Sequence, residues 1–92
     1  MTMTARRVIY EGRVQGVGFR FSVKEIAQGY EVSGSVRNLP DGRVQLEVQG
    51  EESEIEAFLK AIEDSHLRAH IRRKVITPTE AVSGLKGFQI RG

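Results

Sequence analysis

Over RRVIYEGRV, residues 6–14, apolar and polar side chains alternate, with Val8, Tyr10 and Val14 on one side and Arg7, Glu11 and Arg13 on the other. A period of two predicts a half-buried β-strand, with Ile9 out of pattern. After QGVG the period changes. Phe19, Val23, Ile26, Ala27 and Tyr30 define one face of a helix, and Lys24, Glu25 and Gln28 fall elsewhere. Alternation returns over 32–38, with Val32, Gly34 and Val36 on one side. LPDG then supplies a type I turn, and Val44, Leu46 and Val48 alternate beyond it, so the segment reads as a β-hairpin.

Ile55, Phe58, Leu59 and Ile62 recur at helical spacing. Glu51, Glu52 and Glu54 stand at the start of that helix, where its dipole favours acids. AHIRRKVI, residues 69–76, predicts a strand with Ala69, Ile71 and Val75 inward and His70, Arg72 and Lys74 outward. Residues 77–87 read as loop, and GFQIR as a short last strand with Phe88 and Ile90 inward. The order β-α-β-β-α-β plus a terminal strand, each element with one apolar side, calls for two layers. The expected fold is α+β: a ferredoxin-like split βαβ with two helices on one face of an antiparallel sheet. One domain spans residues 1–92, with a core from about 6 to 91.

Composition narrows the function more by exclusion than by suggestion. Fourteen Lys and Arg against twelve Asp and Glu leave a net charge of +2, which suits a small anion better than a nucleic acid. The middle strand carries Arg43, Gln45, Glu47 and Gln49 where an RNA-binding sheet would show aromatics, so no nucleic acid partner is expected. Without cysteine there is no disulfide, zinc–thiolate site or thiol nucleophile. No run approaches the ~18 apolar residues of a membrane span, and MTMTARRVIYEG lacks the core of a signal peptide. The expected setting is cytoplasmic, off the membrane, as a monomer.

The stretch GRVQGVGFR, residues 12–20, joins a strand to a helix. Gly16 and Gly18 have one plain reading as a tight turn. Arg20 falls in the first helical turn, where its charge opposes the helix dipole; an anion held between its guanidinium and the loop N–H groups would account for it. No Gly-Lys-Ser/Thr follows, which excludes a nucleotide P-loop, and no third glycine gives the dinucleotide spacing. Asn38, ending a strand before LPDG, reads equally as a turn starter or as an amide that holds a water.

VQGVGFR, then GSVRNLPDG, then GFQIR at the C-terminal end resembles the acylphosphatase family over nearly the whole chain, from Val8 to Arg91. The resemblance implies an enzyme that hydrolyses the carboxyl–phosphate anhydride of a small acyl phosphate, with no metal and no cofactor. It implies a phosphate cradle at Gln15, Gly16, Val17, Gly18, Phe19 and Arg20. Arg20 would be the phosphate-binding arginine and Asn38 the residue that orients the attacking water, with inorganic phosphate as product and competitive inhibitor. Ser35 and Glu31 depart from the family pattern, at places where an aromatic and a helix-ending glycine are common; Gly29 falls two residues earlier. His66 and His70, remote from both motifs in element order, read as surface residues. Three alternatives accompany this reading: an accessory domain acting on carbamoyl phosphate in a larger maturation protein, a non-catalytic phosphate-binding module, and an RNA-binding sheet.

Overall fold

The computed structural model describes residues 3–92; the first two residues of the segment read for a leader lie outside that range. The elements are β1 (Met3–Gly12), α1 (Phe19–Ala27), β2 (Val32–Asn38), β3 (Val44–Glu51), α2 (Glu52–Asp64), a short 3-10 helix (His66–His70), β4 (Ile71–Thr79) and β5 (Phe88–Arg91). The strand order is β4-β1-β3-β2-β5. The pairs β1·β3, β1·β4 and β2·β3 are antiparallel, with Val8 opposite Leu46 and Val36 opposite Leu46 from the other side. The ferredoxin-like α+β fold expected from the sequence is therefore present, with one correction. β5 lies parallel to β2, so the sheet is mixed. The long β4–β5 connection carries the chain back across the sheet, which a tight antiparallel hairpin would not do.

One apolar cluster joins the layers. Val8, Tyr10, Val36, Val44, Leu46 and Val48 of the sheet pack on Phe19, Val23 and Ala27 of α1 and on Ile55, Phe58, Leu59 and Ile62 of α2. Phe19 is only 1% exposed and its ring lies 5.3 Å from that of Tyr10, so the first residue of α1 is fastened to β1. Burial of a side chain of this size stabilises by about 2–3 kcal/mol. The buried ring thus holds the start of α1 at the end of β1.

The strand β4 departs most from expectation. Ala69 and His70 belong to the 3-10 helix, and Thr77–Thr79 extend the strand into what reads as loop. Val75 is not inward; it pairs with Ile9 and is 40% exposed. The cause is a bulge. Glu11 pairs with Arg73 but Gly12 pairs with Ile71, so Arg72 is the extra residue and the alternation inverts across it. Ile71 packs on the core, whereas Val75 and the out-of-pattern Ile9 share the sheet face away from the helices.

The exit of α1 is built from short-range turns. Gly29 does not take a left-handed conformation. The helix closes instead through three successive i→i+3 bonds, the last from the Tyr30 N–H to the Ala27 carbonyl at 3.1 Å, and the Glu31 N–H donates to Glu54 Oε1 at 2.7 Å. Tyr30 packs on the core from beyond the helix end, and Glu51 closes β3 just before α2. No helix among the described residues is long and apolar enough to cross a membrane.

Candidate functional site

The turn after β1 is built by two glycines in the left-handed region, Gly16 at φ 76° and Gly18 at φ 75°. A Cβ at either would meet nothing within 4 Å, so backbone conformation, not space, requires glycine there. Gly18 is also the N-cap of α1 and offers no side-chain cap. The N–H groups of the first turn have no intrahelical acceptor and carry the positive end of the helix dipole. Val17 protrudes between the glycines, and Phe19 turns its ring into the core, leaving only its backbone on the loop side.

Gln15 has a different place from the glycines. Its Nε2 donates to the carbonyls of Leu39, at 2.8 Å, and Arg43, at 2.9 Å. These carbonyls belong to the β2–β3 turn, which is closed by the Leu39 N–H on the Arg43 carbonyl at 2.8 Å and the Gly42 N–H on the Leu39 carbonyl at 3.1 Å. The Arg43 backbone N–H donating to Asp41 Oδ1 at 3.1 Å, with the Arg43 guanidinium beside it, holds the Asp41 carboxyl below its usual range. Gln15 thus ties the glycine loop to the turn that follows Asn38. Nothing in the spacing of the sequence announces this contact.

Gly16, Gly18, Phe19, Arg20 and Asn38 line one cavity of about 190 Å³, together with Val14, Phe21 and Ile90. Arg20 Nη1 donates to the Arg91 carbonyl at 2.8 Å, so β5 orients the guanidinium. Asn38 Oδ1 is buried and has no hydrogen-bond partner among the described residues. Of the eight lining residues, Val14, Phe21 and Ile90 are not among those the sequence marks as site residues. Phe21 carried a signal, as an aromatic off the apolar face of α1; Ile90 was expected inward but is 40% exposed at the cavity mouth.

The two histidines occupy different surroundings. His70 lies in the 3-10 helix and uses its carbonyl to accept from the Arg13 N–H at 3.0 Å. His66 is not remote in space: its Nε2 lies 3.2 Å from Ser22 Oγ on α1, although it does not line the cavity. A wider cleft of about 500 Å³ at the same end of the sheet is lined by Glu11, Asp41, Arg43, Arg72 and Arg73. There Arg43 is paired with Asp41 and Arg73 with Glu11, so much of its cationic charge is spent internally. The smaller cavity, with Arg20, an asparagine and a helix N-terminus, is the stronger candidate site.

These features define a class: ferredoxin-like α+β domains whose glycine loop, helix N-terminus and arginine meet a buried amide at one end of the sheet. The family model of that class which matches, described as Acylphosphatase, covers residues 6–90, and the chain belongs to the acylphosphatase family. It is 46% identical over 83 residues to an acylphosphatase of Geobacillus kaustophilus, covering 90% of this chain and 88% of the relative. It is 39% identical to one of Methanospirillum hungatei, covering 91% and 92%. The crystal structure of acylphosphatase from Bacillus subtilis superposes with a TM-score of 0.87 at 31% identity, over 99% of this chain and 100% of that one.

Proposed function

We propose that this chain is a metal-independent acylphosphatase that hydrolyses the carboxyl–phosphate bond of acyl phosphates. The loop Gln15–Arg20 and the Arg20 guanidinium bind the phosphoryl group, and Asn38 orients the attacking water. One observation carries the assignment. Asn38, at the end of β2, lines one cavity with Arg20 and the two left-handed glycines Gly16 and Gly18. The amide that Asn38 brings to this cavity can hold a water beside a phosphorus bound by the loop.

The chemistry asks for no more than this kit. The water oxygen bonds to phosphorus as the bond from phosphorus to the acyl oxygen breaks. The carboxylate leaves with the electron pair, and the water proton passes to a phosphoryl oxygen. A carboxylic acid ionises near pH ~4, so the leaving group departs without a general acid. Phosphoryl transfer proceeds through a loose transition state, in which placement and charge stabilisation supply most of the acceleration. One N–H of the Arg20 guanidinium is used by the Arg91 carbonyl, which leaves donors for phosphoryl oxygens.

The proposed working form is a cytoplasmic monomer of one domain, with inorganic phosphate as a competitive inhibitor. Benzoyl phosphate should be hydrolysed at the same rate with and without a chelator such as EDTA. Folded protein that gives no turnover above background would reduce the reading to a non-catalytic phosphate-binding module. Activity lost to the chelator and restored by a divalent cation would overturn metal independence alone.

A further inference from the structure

The cavity that holds Arg20 and Asn38 is not polar throughout. Phe21, next to Arg20, is 60% exposed, and Ile90 on β5 is 40% exposed; both line this cavity. Neither exposure is explained by the core. The buried residues of α1 are Phe19, Val23 and Ala27, and Phe21 is off that face. Ile90 pairs with Val36, which is fully buried, yet Ile90 opens beside the N-terminus of α1. Single exposed apolar side chains are ordinary, but here two from separate elements flank one cleft, above a floor that includes the buried Val14.

The cavity, at about 190 Å³, is far larger than the ~10–15 Å³ that admits one water, and it leaves room beyond a phosphoryl group. With the phosphoryl group seated against the loop and Arg20, the acyl substituent lies at the mouth. We propose that Phe21 and Ile90 form an acyl-binding rim that selects acyl phosphates with aromatic or branched apolar acyl groups over small or charged ones. The proposal rests on the acylphosphatase reading of the site. An aromatic acyl group gains an offset or edge contact with the Phe21 ring and removes apolar surface of both residues from water. A charged acyl group would have to shed water against the same two side chains without a partner of its own. Because the acyl substituent does not change charge in the reaction, the rim binds ground and transition states alike and acts on KM.

The test compares kcat and KM for benzoyl, acetyl and succinyl phosphate on the unmodified protein and on Phe21→Ala, Phe21→Tyr and Ile90→Ala. The unmodified protein should prefer benzoyl phosphate in kcat/KM. Phe21→Ala should cut its benzoyl-to-acetyl ratio about two- to tenfold, through KM, and Phe21→Tyr should keep it. Ile90→Ala should lower the ratio in the same direction. A benzoyl-to-acetyl ratio unmoved by Phe21→Ala, or a preference for succinyl phosphate, overturns the rim while leaving the hydrolase intact. An inhibition constant for inorganic phosphate that rises in step with KM assigns Phe21 to the phosphate cradle instead and likewise overturns the rim. Turnover of none of the three by folded protein overturns the hydrolase reading, and the rim with it.

Discussion

Arg20 stands in the first turn of a helix, where a cation is electrostatically misplaced, and its guanidinium is steered by the carbonyl of Arg91. The planar fork matters as much as the charge, since it can hold β5 and a phosphoryl group at once. Arg20→Lys should therefore raise the inhibition constant for inorganic phosphate about tenfold or more, measured by competition against benzoyl phosphate. An unchanged constant would remove arginine from the phosphate contact. Asn38→Ala should separate the roles. It deletes an acceptor with no donor among the described residues, so stability should hold or rise slightly, while kcat falls at least about 100-fold at nearly constant phosphate affinity. Paired measurements of kcat and of the phosphate inhibition constant decide whether binding and water placement are divided in this way. At this scale the sequence was most legible where conformation is local. Gly16 and Gly18 announce a turn by residue type alone, whereas the orphaned state of Asn38 depends on what packs around it.

Among the elements, the loop after β1 and the turn after β2 act as one unit, because the Gln15 amide donates to two carbonyls across them. Gln15→Ala should cost about 1–2 kcal/mol in urea unfolding, as two hydrogen bonds of ordinary net worth are lost. Gln15→Glu should cost more than Gln15→Ala, since a carboxylate would face two carbonyl oxygens with nothing to donate. Equal stabilities for the two variants would mean that the amide does not clamp the turn. The bulge between Glu11 and Gly12 has a comparable reach, inverting the alternation of β4. A period read along one strand does not reveal a residue inserted relative to its neighbour, which is why Val75 was expected in the core. The basic run at Arg72, Arg73 and Lys74 falls on an edge strand, with Pro78 in the same strand. Such residues hinder pairing with another chain and support the proposed monomer.

For the molecule as a whole, Tyr10 links stability to pH. Its burial against Phe19 disfavours the phenolate and pushes the hydroxyl well above its ordinary range. A group whose ionisation is raised on folding contributes stability in full below the unfolded value near pH ~10 and loses it as pH rises beyond. Unfolding free energy should thus decline by up to about 1.4 kcal/mol per pH unit above ~10 from this residue. Urea titrations at pH 9 and 11 on the unmodified protein and on Tyr10→Phe check it: the variant should show the shallower decline. Identical declines would mean that Tyr10 ionises alike in both states.

Element order, the two-layer architecture and the glycine turn were all determined by the sequence itself. These rest on short-range causes: periodicity of two or 3.6, and the φ values that a residue type admits. The tertiary structure alone decided that β5 runs parallel to β2, that Gln15 bridges two loops, that the Arg91 carbonyl holds Arg20, and that Phe21 and Ile90 share a cavity with Asn38. Each of these joins residues far apart in the chain, and their meeting is set by strand order and register, which local patterning constrains only weakly.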